Sequence, residues 1–260
     1  RHDLKRDMQF NTKVTGAEFD EKTNLWTVHT DKGDAVTARY LITAVGTLTT
    51  TNMPKFKGLE NFKGKWYHTS RFPHTGVDFT GKRVGVVGTG ATAVQAIPEI
   101  AQQAKQLTVF QRTANYCVPA RNGKVDPEVT KARKADYETI IKRTRESFFG
   151  QEHYFIMKSA LEATPEEREA EFDKKWDAGG FAFWLANYQD MFFVEEANEL
   201  CADYIRRKIR KTVIDQSIAD RLMPKGHHYG CKRQPLDTNY YETFNKPNVK
   251  LVDATMDGAI

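Results

Sequence analysis

A glycine-rich turn between a short apolar run and a helical stretch constrains the fold of this chain more than any other feature. RVGVV at residues 83–87 is apolar, GTGATA follows at residues 88–93, and AVQAIPEIAQQAKQ has helical character before LTVFQRT returns to strand character. Strand, GxGxxA turn, helix and strand in this order distinguish a dinucleotide-binding βαβ unit from an ordinary glycine turn. The sequence therefore predicts an α/β fold with a Rossmann-like domain.

The turn is expected to bind the phosphates of the nucleotide. Gly88 makes the tight turn, Gly90 lets the backbone approach a pyrophosphate, and Ala93 allows close packing of helix against strand. The helix N-terminus adds free N–H groups and a partial positive charge. Pro98 lies inside the helical pattern and is expected to kink the helix or shift a boundary. The predicted binding residues in this stretch are Gly88, Thr89, Gly90, Ala91, Thr92 and Gln95.

The end of the second strand favours NADP over NAD. A site for NAD usually carries an acid about 20 residues after the first glycine, where it holds the ribose 2′-hydroxyl. Here the strand ends in Val109-Phe110-Gln111-Arg112-Thr113, without an acid. Arg112 and Thr113 are suited to a 2′-phosphate through charge-assisted hydrogen bonds. The alternative is that Arg112 is an ordinary surface residue at a strand end.

Composition and charge argue against several other classes of protein. The net charge of +5 is modest for 260 residues, and basic residues alternate with acids, which does not favour nucleic-acid binding. No apolar run approaches the roughly 20 residues that span a bilayer. Cys117, Cys201 and Cys231 are far apart, which suggests neither a disulfide framework nor a metal site. A reducing, cytoplasmic setting is therefore expected.

The remaining segments predict how the chain is organised. Residues 8–46 alternate in the β manner, which predicts a strand at MQFNTKV, a β-meander and an apolar strand over Tyr40–Val45. Residues 126–228 look helical, with a helix start at Thr164-Pro165-Glu166-Glu167. The aromatic stretch FAFWLANYQDMFF is expected to pack against the rest of the protein, with substrate lining as the minority alternative. VKLVD near residue 250 has strand character again.

Several segments, in order, resemble the type I Baeyer–Villiger monooxygenases. Phe62-x-Gly64-x-x-x-His68-x-x-x-Phe72-Pro73 is similar to their fingerprint FxGxxxHxxxW, with Phe72 where the family usually has Trp. LITAVGTLTTTNMPKFKGLENFKG, GTGATAVQ, VFQRTANYCVPARN, WDAGGFAFWLANYQD and GCKRQPLDTNYYETFN also resemble the family. The resemblance covers nearly the whole chain.

The resemblance implies a flavoprotein that uses FAD, NADPH and O₂ to convert a ketone into an ester or lactone. NADPH reduces the flavin, and the reduced flavin adds O₂ to give a C4a-peroxyflavin that must stay anionic. Arg233 matches the active-site arginine of the family, and Lys232 matches a residue that binds the 2′-phosphate, as do Arg112 and Thr113. His68 is expected to couple domain movement to catalysis rather than to act as a general base.

The same resemblance implies two dinucleotide-binding domains, of which the FAD domain is incomplete here. The expected boundaries are 1–53 for the remaining part of the FAD domain, 54–80 for a linker with the fingerprint, 81–125 and 229–260 for the NADP domain, and 126–228 for a helical insertion. The family's N-terminal GxGxxG and an upstream acidic residue are missing, so a fragment is expected. Two alternatives stay open: a related N- or S-oxidising flavin monooxygenase, and a non-catalytic NADP-binding module.

Overall fold

A computed structural model describes residues 3–254 of the chain. The chain divides into two compact units, Arg1–Lys55 and Phe56–Ile260. Each unit has its own secondary structure.

The first unit contains a three-stranded antiparallel meander. Its strands are β1 (Val14–Asp20), β2 (Leu25–Thr30) and β3 (Ala35–Ala38), in that order across the sheet. Asp20 forms the β1–β2 turn, because its carboxylate accepts hydrogen bonds from the Lys22 N–H at 2.8 Å and the Thr23 hydroxyl at 2.7 Å. The predicted meander is confirmed. A 3₁₀ helix at Leu4–Asp7 precedes it.

Two predicted strands of this unit are wrong. β1 begins only at Val14, so MQFNTKV is not a strand, and Tyr40–Val45 has no regular secondary structure. An apolar run forms a strand only when a neighbouring strand takes up its backbone hydrogen bonds. Residues 3–55 offer this run no such neighbour, and Tyr40 and Ile42 are 79% and 88% exposed. No residue between 3 and 55 is buried.

The second unit contains a parallel sheet with the predicted βαβ order. Its strands are β4 (Arg83–Val87), β5 (Gln106–Gln111) and β8 (Val249–Asp253), with β5 in the centre. The helix α1 (Ala91–Gln103) connects β4 to β5, and its apolar face contributes Val94, Ile97 and Ala101 to the core. Pro98 lies inside α1 and does not end it.

Seven further helices and two short strands complete the described part of this unit. The predicted helical segment contains α2 (Pro127–Ala135), α3 (Tyr137–Glu146), α4 (Pro165–Ala178), α5 (Ala182–Leu185), α6 (Glu195–Thr212) and α7 (Gln216–Leu222). The strands β6 (Val118–Pro119) and β7 (Leu236–Asp237) pair in parallel, and α8 (Tyr240–Thr243) precedes β8. There are 3₁₀ helices at Leu59–Asn61, Thr69–Arg71 and Gln189–Phe192.

The start of α4 confirms the predicted capping pattern. The Thr164 side chain accepts a hydrogen bond from the Glu167 N–H, and the Glu167 carboxylate accepts one from the Thr164 N–H. Pro165 occupies the first helical position, where no N–H is needed. This reciprocal pair satisfies two N–H groups that would otherwise lack partners at the helix end.

The core of the second unit extends from the parallel sheet into the helices. Phe183 and Tyr204 stack with their ring centroids 5.3 Å apart. Tyr188 and Met191, which follow Phe183 in the same aromatic stretch, are also buried. Most of the aromatic stretch therefore packs inside the protein, as predicted, although Phe193 at its end is 79% exposed.

Candidate functional site

The turn between β4 and α1 has the geometry of an anion site. Gly88 has a φ angle of +101°, which glycine adopts without strain, and its N–H donates to the Phe110 carbonyl at 2.9 Å. The helix α1 begins after Gly90 without a side-chain cap, so the N–H groups of its first turn remain available to a ligand. A Cβ atom built on Gly88 or Gly90 meets no heavy atom within 4 Å, so the space above the turn is open.

Thr89 connects this turn to the end of β5. Its side chain is buried, and the hydroxyl donates to the Thr113 carbonyl at 2.8 Å. The contact brings the predicted phosphate turn next to a predicted 2′-phosphate residue. Because the hydroxyl is used in this bond, a phosphate contact by Thr89 falls to its main chain. The sequence pattern alone did not indicate this structural role.

The other predicted residues around the turn are accessible to solvent. Thr92 and Gln95 are exposed on α1, and Ala91 and Thr113 are half-buried. Arg112 is exposed and forms no ion pair within residues 3–254, so its guanidinium is available to an anion. These residues fit a nucleotide with a phosphate on its adenosine ribose, because the end of β5 carries the cation Arg112. An acidic residue at this position would repel the phosphate.

Lys232 and Arg233 lie on a short exposed turn after Tyr229. Neither cation forms a hydrogen bond or ion pair in the part of the chain that the structure describes. Tyr116, three residues after Thr113, packs edge-to-face on Tyr229, with ring centroids 5.5 Å apart. The segment after Thr113 therefore contacts the segment before Lys232. No hydrogen bond joins Lys232 or Arg233 to the glycine turn within residues 3–254.

His227 is held beside the same tyrosine. Its ring lies 5.3 Å from that of Tyr116, and both ring nitrogens are buried without a hydrogen-bond partner in the described residues. Burial lowers the pKa of His227, and the positive charges of Lys232 and Arg206 add to this effect. The imidazole is therefore biased towards its neutral form.

His68 is fixed locally within its own segment. Its Nδ1 atom accepts a hydrogen bond from the Ser70 N–H at 3.2 Å and lies 2.8 Å from the Ser70 Oγ atom. The bond caps the 3₁₀ helix at Thr69–Arg71 and assigns the proton of a neutral ring to Nε2. No hydrogen bond connects His68 to Arg233 or the glycine turn within residues 3–254. Its predicted role in domain movement stays a prediction.

Two other positions of the fingerprint have a local packing reason. A Cβ atom on Gly64 would lie 2.7 Å from the Phe62 ring, so glycine makes room for that ring. Phe72 contacts Tyr67, with ring centroids 5.8 Å apart. An aromatic side chain at position 72 therefore keeps a packing role without the indole N–H of tryptophan.

Comparisons with known proteins show which family and which relatives the chain is similar to. The model of the family described as pyridine nucleotide-disulphide oxidoreductase matches residues 3–157. The chain is 45% identical over 258 residues to a Baeyer-Villiger monooxygenase of Pseudooceanicola batsensis, covering 98% of this chain and 46% of the relative. It is 39% identical over 253 residues to phenazine N-monooxygenase PhzNO1 of Lysobacter antibioticus, covering 97% of this chain and 46% of the relative.

A crystal structure of OTEMO in complex with FAD and NADP has the same fold. The TM-score is 0.90 at 41% sequence identity, over 97% of this chain and 48% of that chain. The resemblance found in the sequence and the predicted α/β fold class are thereby confirmed. The chain spans about half the length of the curated relatives it matches. No helix within residues 3–254 is both long and apolar enough to cross a membrane.

Proposed function

This chain belongs to the pyridine nucleotide-disulphide oxidoreductase family, and we propose that it is the NADP-binding part of a Baeyer–Villiger monooxygenase. The whole protein would use FAD, NADPH and O₂ to insert an oxygen atom into a ketone, giving an ester or lactone. The observation that carries this proposal is the exposed Lys232–Arg233 pair, unpaired within residues 3–254, in the same unit as an open, uncapped nucleotide turn.

The residues of this chain would bind and orient the nicotinamide cofactor. The N–H groups after Gly88 would hold the pyrophosphate, while Arg112, Thr113 and Lys232 would hold the 2′-phosphate. NADPH supplies a hydride when it is bound. Arg233 would stabilise an anion formed during oxygen transfer, because a guanidinium stays charged at any working pH and does not give up its proton.

The described residues of the first unit do not fit the phosphates of a second dinucleotide. Glycine occurs there at positions 16, 33 and 46, with no Gly-x-Gly pair between a strand and a helix. Residues 3–55 therefore offer no glycine turn that would hold the phosphates of FAD. We propose that FAD binds where the first unit meets the remainder of the FAD domain, in the whole protein. The proposed domain boundaries are 1–53 for the FAD domain, 54–80 for the linker, 81–125 with 229–260 for the NADP domain, and 126–228 for the helical insertion.

A second candidate reaction is the oxidation of nitrogen in an aromatic ring. The similarity to a protein named phenazine N-monooxygenase favours it, because nearly the whole of this chain matches about half of a relative whose name specifies oxidation of nitrogen. In either reaction this chain would supply the same NADPH-binding residues, and the acceptor atom would depend on which substrate the whole protein binds. Oxidation of sulfur, and binding of NADP without catalysis, are further alternatives.

The decisive experiment is turnover by the purified full-length protein. It is supplied with NADPH, O₂ and, in separate reactions, a panel of cyclic and linear ketones, an aromatic N-heterocycle and a thioether. We expect esters or lactones that carry one ¹⁸O atom from ¹⁸O₂, with no product under argon. Oxidation of the heterocycle or thioether without any ester would contradict the ketone assignment. A small-molecule ketone, O₂ and a cytoplasmic location complete the proposal, with no nucleic acid and no membrane as partner.

A further inference from the structure

The turn that carries Lys232 and Arg233 is exposed, but both of its ends are buried. Tyr229 is 2% exposed and Gln234 is 1% exposed, whereas the three residues from 231 to 233 are exposed. The Tyr229 hydroxyl donates a hydrogen bond to the Gln234 Oε1 atom and so closes the turn at its base. The Gln234 Nε2 atom in turn donates to the Gly180 carbonyl at 3.4 Å.

Asn198 of α6 binds both main-chain polar groups of Tyr229, at the start of the turn. Its Oδ1 atom accepts from the Tyr229 N–H at 2.9 Å, and its Nδ2 atom donates to the Tyr229 carbonyl at 2.8 Å. The same Nδ2 atom donates to the Met191 carbonyl at 2.7 Å. Both donors of the carboxamide and its oxygen are therefore used, and a buried network satisfied in this way has one orientation.

Gly230 begins the exposed part of the turn with almost no space around it. Its φ angle is +88°, and a Cβ atom would lie 3.3 Å from the Phe192 ring and 3.5 Å from the Trp184 Nε1 atom. The backbone therefore leaves the buried residue Tyr229 along one path, set by two aromatic side chains of the predicted helical insertion.

We propose that Asn198, Tyr229 and Gln234 form a clamp that positions the Lys232–Arg233 turn. The inference rests on the proposed function, in which these two cations meet NADPH and the developing anion. Because neither cation has a hydrogen-bond or ion-pair partner within residues 3–254, the backbone of the turn determines where the two side chains begin. A turn that is ordered before the cofactor arrives loses less conformational entropy when the cofactor binds.

The test uses Tyr229→Phe in the full-length protein, because this change removes the hydroxyl and keeps the buried ring. Tyr204→Phe is the matched control. It deletes another tyrosine hydroxyl in the same core, which donates to Asp173 at 2.6 Å and not to the turn. Asn198→Ala is a second variant for the other side of the clamp. Thermal unfolding verifies that each variant is folded.

The first readout is amide hydrogen exchange in peptides that cover residues 229–234, measured without cofactor. We expect Tyr229→Phe to speed exchange of the amides at positions 229 and 231, which donate to the Asn198 Oδ1 atom at 2.9 Å and to the His228 carbonyl at 3.3 Å, by roughly three- to tenfold, as for the loss of one hydrogen bond. Tyr204→Phe should leave these amides unchanged. Equal exchange rates in Tyr229→Phe and the unmodified protein would overturn the clamp, independently of the cofactor-binding results.

The second readout is the ratio of the NADH and NADPH dissociation constants. If the variant is only less stable, its affinities for NADH and NADPH should fall equally. If Lys232 is displaced, only the affinity for NADPH should fall. We expect the ratio to fall roughly three- to tenfold in Tyr229→Phe, and to fall no further when Tyr229→Phe is added to Lys232→Ala. An unchanged ratio in Tyr229→Phe, with a lowered ratio in Lys232→Ala, overturns the positioning role alone. An unchanged ratio in Lys232→Ala overturns the cofactor assignment and the positioning role with it.

Discussion

Lys232 offers the sharpest test of cofactor choice by a single side chain. Its ammonium group has no partner within residues 3–254, and we assign it to the 2′-phosphate that only NADPH carries. Lys232→Ala in the full-length protein should weaken NADPH binding by roughly 1.5–3 kcal/mol, the range for a hydrogen bond to a charged group. NADH binding should change little. Titration calorimetry measures both, and Lys131→Ala, which removes an 81% exposed lysine, is the control. Equal losses for the two cofactors would refute the assignment.

Arg233 tests the chemistry rather than the binding. The residue is exposed on its turn and contributes nothing to the core, so Arg233→Ala should leave the protein folded. NADPH should still bind through Arg112, Thr113 and Lys232. Ketone oxygenation should be abolished, because the anion formed during oxygen transfer loses its permanent cation. Stopped-flow cofactor oxidation and product analysis separate the two steps. Ester formed at the normal rate by Arg233→Ala would show that this role is wrong.

The junction of β7 and α8 contains a carboxyl group with an unusual environment. Burial raises the pKa of Asp237 to about 7, although its carboxylate accepts a hydrogen bond from the Tyr240 N–H; Glu242 raises the pKa further and Arg121 lowers it. In an unfolded chain an aspartate has a pKa of about 3.9. Between about pH 4 and pH 7 the folded chain thus binds a proton that the unfolded chain has released. The free energy of unfolding contributed by Asp237 falls as the pH rises through this window.

Asp237→Asn should remove that dependence. The asparagine keeps an oxygen acceptor for the Tyr240 N–H and cannot ionise, so its free energy of unfolding should decline less between about pH 4 and pH 7. Urea denaturation at several pH values measures the slope in each variant. Glu128→Gln, at an 81% exposed side chain, is the control for loss of one acid. A slope that is the same in Asp237→Asn and the unmodified protein would contradict the raised pKa.

The elements that the sequence predicts best are those whose cause is local. The capping pattern at Thr164 and the glycine turn at Gly88 need only neighbouring residues, and both occur as predicted. Tyr40–Val45 fails because a strand depends on a partner strand elsewhere. The role of Asn198 is harder to predict because its partner, Tyr229, is 31 residues away. A buried amide on the apolar face of a helix, beside Ala197 and Cys201, is the signal that points to it.

The two units differ in how much apolar surface they bury. No residue of 3–55 is buried, so the described part of the first unit has little hydrophobic stabilisation of its own. The second unit has a contiguous core that reaches from Val94 to Leu251. Every predicted residue of the nicotinamide nucleotide site lies in that second unit. Nucleotide binding should therefore depend on the second unit alone.

The 260-residue chain should consequently bind NADP⁺ and retain no flavin. The open turn after Gly88, its link from Thr89 to Thr113 and the cation of Arg112 are all present, whereas residues 3–55 hold no second glycine turn for FAD. Calorimetry should detect NADP⁺ binding that is tighter than NAD⁺ binding. After incubation with FAD and gel filtration, the protein should be colourless near 450 nm, while the full-length protein should be yellow. Flavin retained by the 260-residue chain would mean that its first unit forms a dinucleotide site, and absent NADP⁺ binding would mean that the second unit does not suffice.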